Sequence, residues 1–234
     1  HFGRLYQKRL HFGLSDQWYR VWIQRGRRIG GAFGTGYTSE GTITMARCFS
    51  SATITSSGRG AGGLLGTGDH ATVTLCGATG DVTSGGSDVG GLVGGDSYSE
   101  YTDCYATGDV EGTYYIGGLT GYPSSSDFTS CYAAGGAKGD NMYVGSLLGA
   151  YNGSSYGTCY SNCDKTLFPI GGQGAGYGML TTEQLKKQDS YNEKYWDFNY
   201  TWIITPYANE GFPIRRWQTK QAMEVVITAE KGYL

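Results

Sequence analysis

Residues 89–110 read VGGLVGGDSYSEYTDCYATGDV. A glycine pair, a short apolar step and a cysteine at fixed distance recur through most of the chain. The glycine motif stands as GGAFG at 30–34, GGLLG at 62–66, GGLVG at 90–94, GGLTG at 117–121 and GSLLG at 145–149. Its first glycines step by 32, 28, 27 and 28 residues. Cys48, Cys76, Cys104, Cys131 and Cys159 keep the same time, at steps of 28, 28, 27 and 28. Behind them come CFSSATI, CGATGDV, CYATGDV and CYAAGGA, and the fifth copy decays to CYSNCDK.

Helices do not suit such a unit, because each interior glycine costs about 1 kcal/mol relative to alanine. Short strands do. One strand is expected over each GGLxG segment and another around each Cys, with Gly, Asp and Ser turns between. A single unit cannot bury its own apolar side, so copies must stack. The expected fold is therefore all-β: a parallel β-solenoid, β-helix-like, of about five coils of 27–28 residues. Equivalent residues of successive coils then lie about 4.8 Å apart. Leu64, Leu92, Leu119 and Leu147 form one inward ladder, and the five cysteines form a second. Glycine belongs where a coil turns sharply or where backbones approach closely.

GGLVG followed about fourteen residues on by CYATGDV resembles the GLUG-motif repeat of bacterial cell-surface and adhesin-like proteins. The resemblance covers roughly 29–164. It implies a non-enzymatic structural or adhesive module of a bacterial surface or secreted protein, presenting a binding face. The first copy departs from it, with 18 residues between Gly30 and Cys48, as does the fifth, with Ser146 for the second glycine.

Four segments follow. Residues 29–164 hold the repeats. Residues 165–218 are expected to cap the last coil, whose core would otherwise be bare. They contain MLTTEQLKKQDSY at 179–191, which reads as a short helix capped by Thr181 or Thr182. WDF at 196–198, Trp202 and GFPIRRW at 211–217 follow. The resemblance agrees, since GLUG arrays often end in a Thr-rich helix start, W-D-F and a Pro–Trp element. Residues 219–234 read as a tail or the start of a further module, with a strand at 224–230. Residues 1–28 lack the repeat markers. They are a divergent cap, an arm for an anionic partner, or a frameshifted stretch, since with suitable codons residues 3–28 read one base out of phase would give a coil-like sequence.

The 234 residues include 41 glycines, and charged residues make up only 16%. Net charge is −2, yet residues 1–28 carry seven basic side chains against Asp16, so the remainder sits near −8. The repeat region is thus no nucleic-acid binder on electrostatic grounds. No apolar run is long enough to span a membrane. The expected partners are other modules of the same parent chain and a host or environmental glycan or protein, at the cell surface or in the medium.

Chemistry-bearing residues are few. A structural zinc site needs four close ligands, and only Cys159 and Cys163 approach the spacing, so no metal or cofactor is expected. A Cys159–Cys163 disulfide stays open. His70, in TGDHAT, is expected in an exposed turn. Asp81 and Asp109 occupy equivalent GD-V turns and should stack; paired carboxylates of this kind are what a fragment of a polysaccharide-active β-helix enzyme would use. GGQGAGYG at 171–178 lacks the Lys-Ser/Thr of a P-loop. Tyr105, Tyr132 and Tyr160 follow successive cysteines, with Phe49 in the first copy. With Cys inward they point outward. Such a row either binds sugars as a carbohydrate-binding module or shields the flank of the solenoid.

Overall fold

The computed structural model describes residues 6–10, 19–23, 29–30, 43–140, 143–172 and 178–219, the first three stretches as backbone alone. The chain winds as a succession of short strands into a parallel β-solenoid of about four complete turns. Each turn holds five strands, as in Tyr114–Gly117, Thr120–Ser124, Asp127–Thr129, Tyr132–Ala133 and Ala137–Lys138. Each strand pairs in parallel with its equivalents above and below, giving five parallel sheets. Register follows the repeat: Val89 pairs with Ala61 and Ile116, and Tyr105 with Gly77 and Tyr132.

The ladders stand as the spacing predicts. Leu64, Leu92, Leu119 and Leu147 are buried in one core, and each of the first three donates its N–H to the next leucine's carbonyl at 2.8–2.9 Å. Cys76, Cys104, Cys131 and Cys159 are buried in the same core, and Cys48 packs half-buried against it. The thiols are satisfied by repetition. Those of Cys76, Cys104 and Cys131 each donate to the carbonyl two residues back, at 3.1–3.3 Å. The sulfurs of Cys76 and Cys131 also accept the N–H of the preceding cysteine.

The GGLxG segments differ from expectation. Those at 62–66, 90–94 and 117–121 are corners between two strands, not strands: Ser87–Gly90 ends where Gly91 and Leu92 bend inward, and Val93–Ser97 begins beyond. The glycines are there for close approach. A Cβ on Gly90 would lie 1.9 Å from the Val93 carbonyl oxygen, and one on Gly91 would lie 2.1 Å from that of Gly118 in the next coil. The in-folded loop drives its leucine into the core. The left-handed corners are instead built largely from other residues. One column of them, Arg47, Leu75, Asp103 and Ser130, precedes the cysteines at φ 51–58°.

The C-terminal segment also differs. Met179–Leu180 adds a sixth strand to the sheet that carries the tyrosines. A short helix, Thr182–Leu185, follows with Thr181 as its cap and Gln184 closing a capping box. This helix is shorter than the 179–191 span predicted, because a separate 3-10 turn forms at Gln188–Ser190. Residues 168–170 and 179–180 lie on the last coil, and the chain then folds back along the flank. It carries the antiparallel pair Trp202–Ile203 and Ile214–Arg215. The indole of Trp196 donates to the Thr158 carbonyl, that of Trp202 to Asp103 Oδ1, and that of Trp217 to the Leu75 carbonyl. Ser130 Oγ donates to the Tyr195 carbonyl. Leu75, Asp103, Ser130 and Thr158 each precede a ladder cysteine, so the segment is stitched to four successive coils through one column.

Outside the described residues lie the side chains of 1–28, and with them the test of a cap, an arm or a frameshift there. The strand expected at 224–230 and most of GGQGAGYG lie outside as well. Of the N-terminal stretch, Tyr6–Leu10 and Tyr19–Ile23 pair as an antiparallel hairpin.

Candidate functional site

Tyr105, Tyr132 and Tyr160 do form an outward row, on adjacent rungs of one sheet. They do not form an exposed face. Tyr105 and Tyr132 are fully buried under the folded-back segment and Tyr160 is half-buried. The Tyr105 and Tyr132 rings stack at 5.5 Å between centroids, against Trp202 and near Trp196. Their hydroxyls are used up. Tyr105 exchanges hydrogen bonds with Gln218, and Tyr132 donates to the Pro213 carbonyl and accepts from Asn209 Nδ2. Burial pushes the Tyr105 phenol up to about 12. Strand alternation places these rings correctly, but seven further apolar side chains of 185–214 bury them and so correct the binding assignment.

Phe49 is the exception in that column. Its neighbour on the next rung is Gly77, and the Tyr105 ring lies over that gap, where a Cβ would meet it at 2.3 Å. Phe49 is left 43% exposed, at the edge of a groove of about 960 Å³ between the solenoid flank and residues 203–219. Phe49, Asp81, Asp109 and Lys165 line one wall; Tyr207, Asn209 and Glu210 line the other.

Asp81 and Asp109 stack as expected. Asp81 Oδ1 accepts the Asp109 N–H at 2.9 Å, and Asp109 Oδ1 accepts the Gly136 N–H at 2.7 Å. Each keeps its second oxygen free of these bonds. Lys165 Nζ lies 3.8 Å from Asp109 Oδ1. On the opposite wall Asn209, Glu210 and Gly211 are consecutive left-handed residues, at φ 49°, 53° and 86°. Two adjacent non-glycine residues held this way store strain, of a kind found where surroundings fix a functional tip. Thr107 Oγ1, donating to Asn209 Oδ1 at 3.0 Å, ties that tip to the solenoid.

The remaining candidates lie elsewhere. His70 sits in an exposed left-handed turn, its Nδ1 3.0 Å from Asp69 Oδ1 and its ring against Tyr98. All six cysteines are free thiols, so Cys159 and Cys163 are not joined. Among the described residues no group of three or more His, Cys, Asp or Glu is placed to hold a metal ion, and no helix is long and apolar enough to cross a membrane. Comparison with family models, curated proteins and solved structures returns no match. The class defined by the fold is a parallel β-solenoid with its C-terminal segment folded along one flank.

Sequence reasoning missed Phe49, Tyr207, Glu210 and Lys165 as neighbours. One signal was present: CGATGDV alone among the first four copies puts a glycine, Gly77, where Phe49, Tyr105 and Tyr132 put a ring. The contribution of residues 203–219 had none, since it depends on a fold-back between distant segments.

Proposed function

We propose that this chain is a non-enzymatic structural and adhesive repeat module of a bacterial surface or secreted protein, presenting a binding face. The stitching of residues 196–217 to four successive coils carries the reading. A solenoid braced along its length by its own terminus is a stiff scaffold, and the groove beside the brace gives that scaffold a face. The resemblance of GGLVG and CYATGDV to GLUG repeats supports the surface role. Placing an epitope tag at the open turn around Gly157, where an added side chain would meet nothing within 4 Å, tests it. Tagged parent protein is expected on intact cells or in the medium; retention in the cytoplasm would overturn the assignment.

A second reading rests on one observation: Asp81, Asp109 and Glu210 line the same groove. Two carboxylates flanking a glycosidic bond are the machinery of glycoside hydrolysis. Incubating the chain with polysaccharides and following reducing ends separates the readings, because a scaffold leaves chain length unchanged.

A further inference from the structure

The geometry points to the groove between the solenoid flank and residues 203–219 as a binding site for a pyranose oligosaccharide without acid groups, of neutral or amino sugars. This deepens the adhesive reading above and rests on it.

Three features select that ligand. The first is aromatic. Phe49 on one wall and Tyr207 on the other are 43% and 95% exposed, whereas Tyr105 and Tyr132 of the Phe49 column are fully buried. Exposed rings flanking a groove offer flat apolar faces, and the tyrosine adds a polar edge. The second is charge. Among the described residues that line the groove, Asp81, Asp109 and Glu210 stand against one cation, Lys165, which already lies beside Asp109. The groove therefore repels uronic-acid and sulfated chains, while its carboxylate oxygens accept hydroxyl or ammonium protons. The third is periodicity. Asp81 and Asp109 hold the same position on successive coils, so the carboxylates on this wall repeat at about 4.8 Å along the axis. A polymer of repeating units meets similar acceptors at each step.

The strained tip at Asn209–Glu210 fits this use. It holds Glu210 over the groove from the side opposite the two aspartates, and its bond to Thr107 fixes the width.

The test titrates the full chain with cellohexaose, chitosan hexasaccharide and hexagalacturonate by calorimetry. Binding of at least one of the first two, and none of the third, is expected. Tyr207→Ala, at a position almost wholly in solvent, is expected to fold normally and weaken binding about tenfold. Phe49→Ala should act alike, and Tyr114→Ala, on a different sheet, should bind as the parent does. The proposal is overturned if neither uncharged nor amino glycan binds, if hexagalacturonate binds best, if Tyr207→Ala binds unchanged, or if the bound chain is shortened. A protein that labels the cell surface but binds no glycan removes this proposal and leaves the scaffold reading standing. One that binds glycan but stays in the cytoplasm does the reverse.

Discussion

The Arg215 guanidinium sits 3.1 Å from the centre of the Trp202 ring, fully buried between the solenoid and the segment folded along it. Its nearest carboxylate oxygen, Asp103 Oδ1, is 3.7 Å from Nη1, and none of its three side-chain nitrogens has a hydrogen-bond partner. Burial lowers the Arg215 pKa to about 10 despite the pull of Asp103. Burial likewise raises that of Asp103, outweighing the pull of Arg215. Both shifts have the sign of desolvation, so the pair is held by its surroundings more than it holds them.

An asymmetry between the two partners follows. Arg215→Met keeps the stem against Trp202 and leaves a carboxylate that is partly exposed and still accepts from the Trp202 indole, so it should cost less, about 1–2 kcal/mol. Asp103→Ala should cost about 3–5 kcal/mol, because it leaves the cation uncompensated and also removes the acceptor of the Trp202 indole. Urea unfolding at neutral pH measures both. Equal losses would show that the cation–ring contact, rather than charge compensation, dominates the seam.

Asp96 gives the fold a dependence on pH. It faces the core between Gly68 and Pro123 of the adjacent rungs, and neither carboxyl oxygen has a hydrogen-bond partner; nor has the nearby Tyr101 hydroxyl. Burial raises its pKa from 3.8 to about 7, only partly offset by Ser126 and Tyr101. The folded state therefore holds a proton that the unfolded chain releases. The stability this contributes is complete below about pH 4 and is lost as pH rises to about 7. Asp96→Asn should remove that slope and be the more stable protein above pH 7, by at most about 4 kcal/mol. Parallel pH profiles of the two proteins would refute the buried acid.

The coil was legible because its cause is local and repeated. Leu92 and Cys104 recur at a spacing that only in-register stacking satisfies, and the structure stacks them. What the glycines do was half legible: close approach was anticipated, but Gly91 could not be seen to mark a corner until its neighbour Gly118 was placed above it. The tyrosine row shows the boundary most clearly. Alternation put Tyr105 and Tyr132 on the outer side, which is where they are. Whether the outer side meets water depends on Trp202 and Phe212, 70 to 107 residues away in sequence and governed by no period. The groove inherits that limit, since one wall is repeat and the other is not.

The two kinds of glycine separate in a stability measurement. Gly91→Ala forces a methyl group against the Gly118 carbonyl and the Ala106 side chain, so the coil must shift. A loss of about 3 kcal/mol or more is expected, at the upper end for overpacking. Gly157→Ala has open space and should lie within about 0.5 kcal/mol of the parent. Thermal unfolding of the pair reads the difference, and a well-tolerated Gly91→Ala would contradict the in-folded corner.

The thiol ladder predicts its own chemistry. Cys48 and Cys163 are half-buried, whereas Cys76, Cys104, Cys131 and Cys159 are in the core. A hydrogen bond with Cys76 lowers the Cys48 pKa, while burial and the adjoining thiols hold Cys131 well above the ordinary range. Thiolate fraction and access set the rate of thiol–disulfide exchange. An aromatic disulfide reagent at pH 8 should therefore label Cys48 first, then Cys163, and reach the other four only as the solenoid unfolds. In denaturant without reductant all six should titrate. Four titratable thiols would mean that Cys159 and Cys163 are joined, and rapid labelling of Cys104 in the native protein would mean that the rungs do not enclose it.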